Sequence, residues 1–145
     1  MKKVLVIDDQ FGKIEDPMYE ERYGNGQVPD YSFVLEESRT GSRTQEMFGI
    51  KRRVAIYGAS KAIQRVNKEM PNAIILDMDF GLQQAYGYII LQKLQMRFPE
   101  IPVLISTSTD DEGLVKKCLD AGAKKFIGKL PNPEMMKQYL DSYTS

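Results

Sequence analysis

The sequence predicts an α/β fold: a doubly wound, five-stranded parallel sheet with helices on both faces. Three observations carry this expectation. Short unbroken apolar runs such as Val4-Leu5-Val6-Ile7, Ala73-Ile74-Ile75-Leu76 and Val103-Leu104-Ile105 read as strands buried on both faces. Stretches of helical periodicity separate the later runs, and strands alternating with helices form βαβ units with right-handed crossovers. Two of the runs end in carboxylates, Asp8-Asp9 and Asp77, which marks the rim where open α/β sheets place their ligand crevice.

The elements follow in order. The first strand, 4–7, runs straight into Asp8 and Asp9. Residues 11–52 read as an atypical excursion placed between the first and second strands, replacing or extending the first helix region. Within it, Asp16-Pro17 and a later Gly24 suggest a short helix, and Gly24-Asn25-Gly26 and Pro29-Asp30 suggest turns. Tyr31, Phe33 and Leu35 alternate as in a strand, and Ser42 with Gln45 could form a capping box for a helix closed by Gly49. The excursion lacks the apolar residues for a core of its own, so the whole chain, 1–145, is expected to be one domain.

From Arg53 the pattern is regular. Residues 54–57 form the second strand of the expected sheet, and 60–70 a helix with Ile63, Val66 and Met70 on its apolar face. The third strand ends at Asp77. A helix over 86–98 turns Ile90, Leu91, Leu94 and Phe98 inward and stops before Pro99. The fourth strand, 102–105, runs out into Ser106-Thr107-Ser108-Thr109, and Thr109 with Glu112 makes a capping box for a helix ending at Gly122. Phe126-Ile127 is a short fifth strand ending near Lys129. Asn132-Pro133 opens a last helix striped by Met136, Tyr139, Leu140 and Tyr143.

Composition removes several function classes. The 145 residues are 42% hydrophobic, enough for one packed core. Twenty basic residues balance twenty acidic ones, so no global attraction to nucleic acid or membrane follows, and no basic helix or patch stands out along the chain. No apolar run is long enough to span a bilayer, and the acids after Ile7 come too early for a signal peptide. The lone Cys118 precludes an internal disulfide, which suits a reducing cytoplasm, and its helical position predicts a buried small hydrophobe. There is no histidine, so acid–base or metal chemistry must use carboxylates, hydroxyls and lysine.

At the carboxyl ends of the predicted strands stand Asp8, Asp9, Asp77, Thr107 and Lys129. Three converging carboxylates repel one another unless a cation neutralises them, and all-oxygen ligands select a hard ion, Mg²⁺. A lysine and a hydroxyl opposite would hold a tetrahedral oxyanion, so the set suits a phosphoryl group placed on Asp77.

This constellation resembles the receiver domains of two-component response regulators. The spacing agrees as well as the residue types: Asp77 to Thr107 is thirty residues and Asp77 to Lys129 is fifty-two. The resemblance covers residues 1–10 and about 53–143, and implies a flavodoxin-like sheet of order 2-1-3-4-5. It implies that Asp77 is the phosphoacceptor, that Asp9 ligates Mg²⁺ directly and Asp8 through water, and that the Asp79 carbonyl completes the protein ligands with Asp77. Thr107, Lys129 and the backbone N–H groups of Asp79 and Ser108 would contact the phosphoryl oxygens. Phe126 would change rotamer as Thr107 moves, and the face made by the last strand and its helices would carry the output. A histidine kinase or phosphotransfer protein would be the donor, with an effector of unspecified kind, no direct nucleic-acid or membrane contact, and phosphorylation-linked dimerisation left open.

The chain departs from the pattern in two loops. Leu130 follows Lys129 where receivers carry a cis proline, and a cis Lys129–Leu130 bond would cost about 3 kcal/mol, so a trans bond or a locally rearranged loop is expected. The loop after Asp77 lacks the usual proline and reaches its glycine, Gly87, two residues late. There the Asp79 side chain would border the phosphoryl site and alter phosphate lifetime. Asp77-Met78-Asp79 also resembles the Asp-x-Asp of haloacid-dehalogenase phosphatases, but in those the nucleophile strand comes early and the acidic pair last. A receiver-like interaction module that acts without phosphorylation is the other alternative.

Overall fold

The computed structural model describes residues 1–8, 24, 26–37, 42–47, 50–55, 59–78, 86–107, 111–128 and 131–144. In chain order these form β1 (Lys2–Asp8), β2 (Tyr31–Glu37), β3 (Ser42–Met47), β4 (Ile50–Ala55), α1 (Ala59–Glu69), β5 (Ala73–Asp77), α2 (Tyr86–Arg97), β6 (Val103–Ser106), α3 (Glu112–Asp120), β7 (Lys125–Ile127) and α4 (Pro133–Tyr143). Five parallel strands make one sheet in the order β2-β1-β5-β6-β7, which is the expected 2-1-3-4-5 arrangement.

The identity of the second strand differs from the expectation. It is Tyr31–Glu37, paired along its whole length with β1 from Lys2↔Tyr31 to Asp8↔Glu37. Its partial burial suits an edge strand, with Tyr31 and Leu35 buried and Ser32, Phe33 and Val34 between them only half-buried. Val54 and Ala55 lie instead in β4, which pairs antiparallel with β3 in a separate two-stranded ribbon. The consecutive Lys51, Arg52 and Arg53 explain why this segment stays out of the parallel sheet, where both faces are covered. The irregular segment therefore includes a ribbon after the second sheet strand, rather than lying wholly between the first and second. The expected capping box at Ser42 is likewise replaced by β3, since six cross-strand pairs satisfy more backbone groups than one cap. The short helix expected from Asp16 lies outside the described residues.

The turns before β2 agree with the sequence. Gly26 has φ +83° and Asp30 φ +72°, and the Tyr31 N–H donates to the Val28 carbonyl at 3.3 Å. Turn and sheet join where the Lys2 N–H donates to the Asp30 carbonyl at 3.0 Å.

Two cores flank the sheet. Leu5, Ile7, Ile74, Leu76, Val103 and Ile105 face α1, α2 and α3, against Val66, Ile90, Leu91, Leu94 and Cys118. Val4, Val6, Ala73, Ile75, Leu104 and Ile127 face the other way, against Met136 and Leu140 of α4. Strand alternation sends successive residues to opposite cores, so an unbroken apolar run is needed.

The helix ends refine the sequence reading. Helix α1 stops at Glu69 and Met70 takes φ +46° and is exposed, while the buried residues of the helix are Ala62 and Val66. The N-cap of α3 is Asp111, whose carboxylate accepts from the Leu114 N–H at 3.2 Å, not a Thr109–Glu112 box. Two residues nearer the helix, Asp111 reaches the third helical N–H directly. Gly122 takes φ +114° after α3, as its residue type allows. Asn132 caps α4 as expected, accepting from the Met135 N–H at 2.9 Å with Pro133 at the first helical position. No described helix is long and apolar enough to cross a membrane.

Candidate functional site

The rim of the sheet is built by register. Ile7 is level with Leu76, and Leu76 with Ile105, so Asp8 and Asp77 each stand one step beyond a fully buried apolar row. Asp77 is paired with Ser106, and Ser106 with Ile127. The Thr107 N–H then donates to the Ile127 carbonyl at 3.3 Å, continuing the ladder by one residue. Asp8, Asp77 and Thr107 thus meet at the carboxyl edge of three adjacent strands.

All three are buried, at 3%, 2% and 5% exposure, and Ser106 beside them is at 2%. Carboxylates excluded from water require compensating donors or cations. Two of them at neighbouring strand ends, with only oxygen donors, form a set that suits a hard divalent ion. Among the described residues no group of three or more potential metal-ligating side chains occurs. Asp9, Asp79, Ser108 and Lys129 lie outside the described residues, as does the Lys129–Leu130 bond. Phe126 is level with Ile105 on β7 and packs half-buried against the larger core.

Two residues support this rim that the sequence did not single out for it. Ser106 belongs to β6 rather than to the loop, which only the pairing with Asp77 reveals. Gly87, noted only as a late loop glycine, donates its N–H to the Met78 carbonyl at 2.9 Å. A Cβ there would collide with the Asp77 carbonyl oxygen and lie 2.7 Å from the Met78 Cα. The first turn of α2 is therefore seated on the backbone of Asp77 itself.

Beneath it, Met78 is fully buried, and the Cys118 S–H donates to its sulfur at 3.8 Å. Burial pushes the Cys118 thiol up to about 11, with neighbouring Lys117 opposing weakly. A thiol raised this far stays protonated at pH 8, where an unfolded cysteine is partly thiolate. Cys118 should react with a soluble disulfide reagent at pH 8 at least about 100-fold more slowly in the native protein than in urea. A native rate near the unfolded one would show that α3 opens readily.

Comparison with known proteins adds the following. The family model described as response regulator receiver domain matches residues 41–141. Transcriptional activator protein ExaE of Pseudomonas putida is 36% identical over 76 residues, covering 52% of this chain and 35% of its own. Two-component response regulator ORR5 of Oryza sativa subsp. japonica is 30% identical over 81 residues, covering 54% of this chain and 60% of its own. The match therefore spans about a third to three-fifths of these curated relatives. Among solved structures, the receiver domain of NtrX from Brucella abortus superposes with TM-score 0.67 at 16% identity, covering 97% of each chain. A CheY-like receiver domain protein from Methanospirillum hungatei JF-1 superposes with TM-score 0.64 at 20% identity, covering 99% of this chain and 96% of its own.

Proposed function

Because this chain belongs to the response regulator receiver domain family, whose members are signalling domains of two-component systems, we propose that it is a phosphoacceptor switch charged on Asp77. The observation that carries the reading is the meeting of buried Asp8, Asp77 and Thr107 at the carboxyl edge of three adjacent parallel strands.

In this reading a histidine kinase or phosphotransfer protein supplies the phosphoryl group. An Asp77 carboxylate oxygen attacks the phosphorus of the donor's phosphohistidine. The new O–P bond forms as the N–P bond breaks, and the electron pair stays on the departing ring nitrogen. Asp8 and Asp9, with Asp77 and the Asp79 carbonyl, would hold Mg²⁺, which neutralises charge on the transferring group. Thr107 donates its hydroxyl to one phosphoryl oxygen, and Lys129 pairs with another. The backbone N–H groups of Asp79 and Ser108 complete the cradle.

Drawing Thr107 toward the phosphoryl group vacates space beside Phe126, one strand away. The rotamer of Phe126 then reports the state of the rim to the face formed by β7, α3 and α4, where an effector would bind. The switch is a shift between two packings, so its amplitude equals the difference in phosphoryl contacts between them.

Incubation with acetyl phosphate and Mg²⁺ followed by intact-mass measurement tests this. The native chain should gain one phosphoryl group only when Mg²⁺ is present, and Asp77→Asn should gain none. An unmodified native chain that still binds Mg²⁺ would replace this reading with a phosphorylation-independent interaction module.

A further inference from the structure

Ser106 stands in the rim without a task in the phosphoryl transfer described above. Ile7 is level with Leu76, so Asp8 at the next step is level with Asp77, and Asp77 is level with Ser106. On its far side Ser106 is level with Ile127. Two residues earlier in each strand, Val6, Ile75 and Leu104 all face the core closed by α4. Strand alternation therefore turns Asp8, Asp77 and Ser106 to that same side, as one cross-strand row with Asp77 in the middle.

The row is dry: Asp8 is 3% exposed, and Asp77 and Ser106 are 2% exposed each. The row beneath it, Val6, Ile75 and Leu104, is wholly apolar, and a hydroxyl placed just above costs free energy unless it meets a polar partner. Neighbouring strands lie about 4.8 Å apart, so level side chains on one face are in contact range. Serine brings one donor, and rotation about χ1 alone makes or releases a contact without moving the strand. Thr107 does not duplicate it, because Thr107 lies two residues after Ile105, which faces the opposite core. Asp77 thus has a carboxylate on one side, which repels its charge, and a hydroxyl on the other.

We propose that Ser106 is the donor that stabilises the Asp77 carboxylate as a phosphoryl group leaves it, and so shortens the life of the charged state. This inference rests on the phosphoacceptor reading above. In hydrolysis a water oxygen bonds to phosphorus while the bond from the Asp77 oxygen to phosphorus breaks. The electron pair stays on Asp77, and the proton of the water goes to the released phosphate. Negative charge thus returns to a carboxyl group that was neutral as the acyl phosphate. A donor beside that group gains strength as the bond breaks, which lowers the barrier to loss. Uptake moves charge the other way, off the carboxylate, so there the same donor is a brake.

The test loads the full chain with acetyl phosphate and Mg²⁺, removes the reagent by rapid desalting, and follows uptake and loss by timed intact-mass measurement. Ser106→Ala should lose its phosphoryl group at least about threefold more slowly than the native chain, as removal of a hydrogen bond to a developing charge requires. Its uptake should be no slower than native. A purely structural role would not give that split, since a packing defect at the rim slows uptake as well. Ser106→Thr, which keeps the hydroxyl, should return the loss to within about twofold of native. Circular-dichroism melts establish that each variant is folded. Native loss in Ser106→Ala, uptake slowed as much as loss, or a folded Ser106→Thr as slow as Ser106→Ala would overturn the proposal. A native chain that takes up no phosphoryl group would instead remove the phosphoacceptor reading itself, and this inference with it.

Discussion

Gly87→Ala should lower the thermal midpoint by about 10 °C, corresponding to about 3 kcal/mol in a domain of this size. The reason is local and steric. The added methyl would meet the Asp77 carbonyl oxygen and approach the Met78 Cα to 2.7 Å, and both are backbone atoms that no rotamer change can move aside. Either α2 retreats, uncovering Ile90, Leu91 and Leu94, or the end of β5 shifts. Both responses disturb the carbonyl that follows directly from the proposed phosphoacceptor. The same variant should therefore take up phosphoryl groups from acetyl phosphate at least about tenfold more slowly, since a displacement of about 1 Å costs about 100-fold in well-oriented reactions. Circular-dichroism melts and timed intact-mass measurements check the two halves separately. A melt within about 2 °C of native would mean that the first turn of α2 slides freely over Asp77.

Leu76→Ala should be nearly as damaging to stability, through the core rather than the backbone. Leu76 is fully buried and lies in a cross-strand row with Ile7, Ile105 and Phe126. Removing its branched end from the centre of a sheet packed on both faces leaves a cavity that flanking strands cannot close, costing about 2–5 kcal/mol. Leu76→Met, which keeps volume, should cost less than about 1.5 kcal/mol. Urea unfolding of the three proteins distinguishes these values. Equal midpoints for the Ala and Met variants would show that volume at this position is unimportant and that the row is loosely packed.

The elements that were legible in the sequence share a physical property: their signal is local. A strand covered on both faces must be apolar at every position, so the runs ending at Ile7, Leu76 and Ile105 declare themselves without reference to any partner. A carboxylate cannot continue such a run, which is why Asp8 and Asp77 could be placed at the rim before any geometry was known. Asn132-Pro133 is equally local, since cap and first-turn proline are adjacent.

What escaped was set by partners distant in sequence. Residues 54–57 are as apolar as a buried strand, yet β4 pairs with β3 because Lys51, Arg52 and Arg53 precede them. The true second strand has the weaker alternating signature of an edge. Thr109 and Asp111 compete for one helix start, and spacing alone does not rank two nearby caps. The seat of Gly87 on Asp77 is a contact through space, visible only once α2 is docked. On the rim, the expected places of Asp8, Asp77 and Thr107 are those observed, while Asp9, Asp79, Ser108 and Lys129 fall outside the described residues.

At the opposite edge of the sheet from the rim, Lys2 donates its ammonium to the Thr144 carbonyl and, at 3.3 Å, to its hydroxyl. Tyr31 joins them, its hydroxyl 2.9 Å from the Thr144 hydroxyl and donating to the Asp141 carboxylate at 2.7 Å. Residues 2 and 144 thus touch, so the amino end of β1 and the carboxyl end of α4 are held together across a separation of 142 residues. Fraying of the last turn of α4 must break these contacts first, so loosening of the helix end and of the strand end is one event rather than two.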